Sequence, residues 1–156
     1  MGVSGCGKSR VGAAIAARLG LALVEGDDFH PEANRQRMHA GIALTDADRG
    51  GWLDALAAEL ARHPAGAVLT CSALKRAYRD RLRAAAPGLR FAWLDLDQAA
   101  AAARVAQRPA HFFPAGLVAT QFEALEPPLD EPLVLRLDAL AAPEVLATQV
   151  AGWVGR

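Results

Sequence analysis

The chain has 156 residues, enough for one domain around a single core. Apolar residues make up 53% of it and charged residues 22%, which excludes a disordered polypeptide. The 17 basic and 17 acidic side chains cancel to a formal net charge of +0, so no global field favours nucleic acid or a membrane surface.

Taken in chain order, the pattern predicts a helix over 8–18, with Val11, Ile15 and Leu19 on one face and Gly20 as its stop. A short apolar strand over 21–25 ends at Gly26. A helix over 30–40 follows around Pro31 and closes at Gly41. Thr45-Asp46-Ala47-Asp48 resembles a capping box with Asp in place of Glu or Gln, and opens a helix through Trp52, Leu53, Leu56 and Leu60 to about 63. The stretch 67–71 reads as a buried strand and 73–86 as a basic amphipathic helix. A strand over 91–96 precedes an alanine-rich helix over 98–107. Two prolines break regularity over 108–114, and helix resumes over 115–125. A strand over 133–137 and a helix over 143–154 complete the chain. Short apolar strands alternating with helices predict one α/β domain over 1–156, with a doubly wound parallel sheet.

Gly2-Val3-Ser4-Gly5-Cys6-Gly7-Lys8-Ser9 fits the phosphate-loop pattern G-x-x-x-x-G-K-[ST]. The glycines let backbone N–H groups turn inward, and the next helix points its positive end at the same place. Lys8 is placed to reach the β- and γ-phosphates of ATP, and the Ser9 hydroxyl to ligate Mg²⁺. All eight residues are therefore candidate ATP contacts. This pattern normally follows a strand, whereas here Met1 directly precedes Gly2. The expectation is two half-sheets with open edges, and a true start upstream of Met1.

Glu25-Gly26-Asp27 puts two carboxylates at the C-terminal end of a strand, where open α/β sheets bind ligands. Asp27 is the candidate base that accepts a proton from an attacking hydroxyl, and Glu25 a candidate helper of Mg²⁺ through water. A plain turn-stabilising role for Asp27 is the alternative. Arg49 sits at a helix start, a poor place for a cation unless it meets a ligand. Of the 17 basic residues only Lys8 and Lys75 are lysine, which marks both as positions where a guanidinium fits badly. The two cysteines, Cys6 and Cys71, form no disulfide framework or zinc pattern and suit a reducing cytoplasm. No apolar stretch approaches a bilayer span, and no signal peptide is read at the start.

Several segments are then identified together. Glu25-Gly-Asp-Asp-Phe-His-Pro31, Asn34, Met38, Gly41 and Leu44-Thr-Asp-Ala-Asp-Arg49 closely resemble the gluconokinase family. So do Cys71-Ser-Ala-Leu-Lys75-Arg-Ala-Tyr-Arg79, Arg104, Arg108, His111-Phe112 and Gln121-Phe-Glu-Ala-Leu-Glu-Pro127-Pro128. The resemblance implies a P-loop fold of the nucleoside monophosphate and shikimate kinase type, with a mobile lid over about 108–115. It implies transfer of the γ-phosphoryl of ATP to the 6-hydroxyl of D-gluconate, with Mg²⁺ as cofactor. Lys8, Asp27 and Arg108 become the expected catalytic residues; Arg104 and Arg108 the expected lid arginines over ATP; and Asp27, His30, Arg49, Lys75 and Arg79 the expected substrate contacts. It further implies a homodimer. A helix-capping role for His30 and a plain surface pair for Arg104 and Arg108 are the alternatives. Arg37, Ala43 and Gly50-Gly51 depart from the family pattern and bear on affinity. Rival functions are phosphorylation of another small hydroxy acid such as shikimate, or nucleotide binding with little turnover.

Overall fold

The first helix begins where the glycines of the loop end. In the computed structural model, which describes residues 1–107 and 114–155, α1 (Lys8–Leu19) starts behind left-handed Gly7 and stops at Gly20. It leads into β1 (Ala22–Glu25), a 3-10 turn at Gly26–Phe29 and α2 (Glu32–His39). The helix predicted over 30–40 lacks its first two residues because Pro31 holds His30 in an extended conformation, φ −65° and ψ 130°.

α3 (Asp46–Ala61) opens on the expected capping box. Asp48 N donates to Thr45 Oγ1 at 3.2 Å, and Thr45 N donates to Asp48 Oδ2 at 2.8 Å. After β2 (Ala67–Thr70) the chain forms α4 (Arg76–Ala85). The helix predicted over 73–86 begins only at Arg76, because Ala73 takes φ 46° and cannot join a right-handed helix. β3 (Phe91–Asp95) and α5 (Gln98–Ala106) follow. A 3-10 turn at Ala115–Leu117 precedes α6 (Val118–Ala124), where one continuous helix was expected. β4 (Val134–Asp138) and α7 (Pro143–Val154) end the domain. The predicted lid over 108–115 lies largely outside the described residues.

Among the described residues all strand pairing is parallel, in two sheets of two strands each. β1 pairs with β2 from Ala22–Ala67 to Glu25–Thr70, and β3 with β4 from Phe91–Val134 to Asp95–Asp138. This is the α/β P-loop architecture, divided into the two half-sheets that the sequence led us to expect. A cavity of about 560 Å³ separates β2 from β3, with Ile15, Leu69, Leu82, Phe91 and Val150 in its walls. Met1 and Gly2 clip the two halves together beside it. The Met1 amino group donates to Ala92 O at 2.6 Å, Leu94 N donates to Met1 O at 3.0 Å, and Gly2 N donates to Ser72 O at 3.1 Å.

Two core clusters form, and each draws on both half-sheets. Val11 and Ile15 pack with Leu94, Leu137, Leu146 and Val150 under the phosphate loop. Trp52, Leu53 and Leu56 pack with Tyr78, Leu82 and Phe91 under the acceptor side. Parallel pairing brings the C-terminal strand ends Glu25 and Thr70 side by side, next to the loop. Among the described residues no helix is long and apolar enough to cross a membrane.

Candidate active site

The loop from Gly2 to Ser9 is shaped by backbone conformations that side chains resist. Gly5 takes φ 86°, and a Cβ there would stand 2.7 Å from Ala101 O. Gly7 caps α1 at φ 93°, with no side-chain cap and no acidic residue in the first turn, so the N–H groups of the helix start stay available to an anion. Lys8 Nζ is folded over the loop, donating to Gly2 O at 3.1 Å and Val3 O at 3.0 Å. Cys6 packs beneath, fully buried.

At the mouth of the loop, Ser9 Oγ donates to Glu25 Oε2 at 3.1 Å, and the same oxygen accepts from Thr70 Oγ1. Oxygen-only donors at the start of α1 and the end of β1 suit a hard cation that keeps several waters. Among the described residues no cluster of three or more His, Cys, Asp or Glu side chains could hold a metal. Ser9 and Glu25 fit Mg²⁺ bound jointly with phosphate oxygens.

The acceptor side is built on the Gly26–Phe29 turn that carries Asp27. Trp52 Nε1 donates to Gly26 O at 2.8 Å, Gly26 N donates to Thr70 Oγ1 at 3.4 Å, and His30 N donates to Asp27 O at 3.3 Å. The His30 ring stacks on Trp52, centroids 4.2 Å apart and planes 12° from parallel. Burial, then the neighbouring Arg49 and Arg35 cations, push the His30 pKa down to about 4, so the imidazole is neutral at pH 7. Its Nδ1 is buried with no hydrogen-bond partner among the described residues. Lys8, Asp27, His30, Arg49 and Gln121 line one small cavity of about 40 Å³ between loop and turn.

Two expected substrate contacts are not brought to this cavity. Lys75 Nζ donates to both carboxylate oxygens of Asp46, at 2.7 and 2.9 Å. Arg79 is fully buried and has spent all five of its N–H donors. Its Nη1 donates to Ala73 O and Leu74 O at 2.8 and 2.9 Å, its Nη2 to Glu126 O at 2.9 Å and to Glu131, and its Nε to Glu131. The Arg79 guanidinium, assisted by Arg83, holds the Glu131 carboxyl down to about 2. This arginine ties the end of β2 to the segment after α6, so its geometry is that of a structural clamp.

Arg104 does reach the loop, donating to Gly5 O at 3.4 Å and to Ala139 O at 3.1 Å. Arg108, His111 and Phe112 lie outside the described residues. Cys71 is buried, and burial pushes its thiol up to about 11, so it is protonated at neutral pH. Sequence reasoning missed Trp52, Thr70 and Gln121. Trp52 carried only a core signal, Thr70 lay inside a predicted buried strand, and Gln121 stood in a matched segment with no chemical cue of its own.

Residues 1–128 match a sequence family described as an AAA domain. The chain is 43% identical over 142 residues to the thermosensitive gluconokinase of Escherichia coli (strain K12), a match covering 88% of this chain and 76% of that one. Among solved structures, a gluconokinase from Sinorhizobium meliloti 1021 superposes with a TM-score of 0.86 at 41% identity, across 99% of this chain and 93% of that one. An unliganded sugar kinase from Janibacter sp. HTCC2649 superposes with a TM-score of 0.93 at 37% identity, across 99% and 91%.

Proposed function

The chain belongs to the gluconokinase family, and from that premise we propose that it transfers the γ-phosphoryl group of ATP to the 6-hydroxyl of D-gluconate, giving ADP and 6-phospho-D-gluconate. The observation that carries this reading is the single cavity where Ser4 and Lys8 of the phosphate loop meet Asp27, His30 and Arg49. Loop N–H groups bind the phosphates, and Lys8 exchanges the carbonyls of Gly2 and Val3 for phosphate oxygens. Arg49 holds the gluconate carboxylate, and neutral His30 hydrogen-bonds a hydroxyl. Asp27 accepts the 6-hydroxyl proton as that oxygen bonds to the γ-phosphorus and the bond to the ADP oxygen breaks. Ser9 and Glu25 would hold Mg²⁺, which neutralises phosphate charge when bound. Arg104 steadies the loop from behind. The reading also takes the enzyme to be a cytoplasmic homodimer, supported by the family resemblance.

ADP release measured with D-gluconate, shikimate and other sugar acids tests the proposal. The highest kcat/KM is expected with D-gluconate. A preference for shikimate would overturn the assignment, and the absence of acceptor-dependent turnover would leave a nucleotide-binding protein.

A further inference from the structure

The wall of the small cavity opposite Asp27 and His30 is α6, and one side chain on it bridges to the phosphate loop. Ser4 N donates to Gln121 Oε1 at 2.6 Å, across 117 residues of sequence. Only the amide oxygen can accept from an N–H, so this bond fixes which way the amide faces. Both N–H donors of Nε2 are then left without a protein hydrogen bond among the described residues: the residue is 8% exposed, and Nε2 is not one of its fully buried atoms, so it opens to the solvent of the cavity. An amide anchored through its oxygen, with its N–H donors free toward a cavity, is placed to exchange water for a ligand oxygen. Gln121 shares its cavity with Ser4 and Lys8 on the phosphate side and with Asp27, His30 and Arg49 on the acceptor side.

We propose that Gln121 is a specificity-determining residue that donates from Nε2 to a hydroxyl oxygen of the acceptor while Oε1 holds the phosphate loop at Ser4. The inference rests on the kinase reading above and adds a residue to it. Gln121 couples the two halves of the reaction: seating the acceptor on Nε2 orients the same amide that fixes the loop. A hydroxy acid satisfies the amide, whereas an acceptor that covers Nε2 without offering that hydroxyl strips its water and leaves the donor unpaired.

The discriminating substitution is Gln121→Glu, which keeps an oxygen for Ser4 N–H and loses the donor. Its KM for D-gluconate is expected to rise about tenfold or more, with the KM for ATP within about twofold of the parent. As pH falls toward the ordinary carboxyl range near about 4.3, the variant regains an O–H donor, and its kcat/KM relative to the parent is expected to recover. Gln121→Met removes both functions, so its kcat falls as well. If Q121E matches the parent for both substrates while Q121M loses activity, Gln121 only braces the loop and the inference is overturned. Equal rises in both KM values would overturn it too. A parent protein without gluconate-dependent turnover would remove the underlying reading, whereas an active parent with an unaffected Q121E variant removes this inference alone.

Discussion

Two polar clusters lie on either side of the stretch after β2, and they differ in what they leave unspent. Around Arg79 every guanidinium donor has a partner, and Glu131 accepts from Arg79 and Arg83 together. Around Asp27 the pattern is reversed: His30 Nδ1 has no partner among the described residues, and Gln121 uses only its oxygen. Both clusters carry arginine and carboxylate, and both lie next to segments that resemble the same family. Charge therefore does not separate structure from function in this molecule; residual hydrogen-bonding capacity does. A saturated cluster stabilises the fold, and an unsaturated one waits for a ligand.

The largest effect should come from the unsaturated side. Replacing Asp27 with Asn removes the proton acceptor and should lower kcat about a thousandfold, leaving ATP affinity and Tm near those of the parent. Steady-state kinetics beside a thermal melt would check this; a large loss of Tm would erase the distinction drawn above. The saturated side should show the opposite split. Arg79→Met leaves the buried Glu131 carboxylate with only Arg83 as a cationic partner, costing about 3 kcal/mol of stability, while protein that remains folded keeps its kcat. Adding Glu131→Met should recover part of that loss, since no charge is then left unpaired. Chemical denaturation of the single and double variants measures both values.

The smallest effect is a pair of acid windows. Native His30 titrates at about 4 against 6.5 when unfolded, so the unfolded chain binds more protons between those values. Stability thus rises with pH from about 4 to 6.5 and is complete above. Native Glu131 titrates at about 2 against 4.5 unfolded, so its contribution is present above 4.5 and fades as pH falls toward 2. Acid should weaken the cavity wall before it weakens the clamp. His30→Phe keeps a ring on Trp52 and should abolish the upper window only, as followed by denaturation at a series of pH values.

What could be read in advance follows the range of the contacts involved. The phosphate loop was legible because Gly2 to Ser9 is contiguous and each residue's task is local. The Thr45–Asp48 capping box was legible for the same reason. Arg79 was singled out only through the family resemblance, as a substrate contact; its clamp geometry was not legible, because its partner Glu131 stands 52 residues away. Lys75 was singled out by the rarity of lysine, yet its ammonium meets Asp46, 29 residues earlier. Ala73, an ordinary residue for a helix, takes a left-handed conformation that moved the start of α4. Trp52 and Gln121 act across 26 and 117 residues, a separation no local pattern encodes.

The division between the half-sheets has a volumetric consequence. Interiors are close-packed, so a half-open space of about 560 Å³ lined by both cores is a packing defect that the two share. Unfolding eliminates such space, and hydrostatic pressure favours whichever state occupies less. The phosphate loop hangs from Met1 and Gly2 at the edge of that space. Pressure should therefore loosen both cores together, since Val11 and Ile15 of one and Leu82 and Phe91 of the other line the same space.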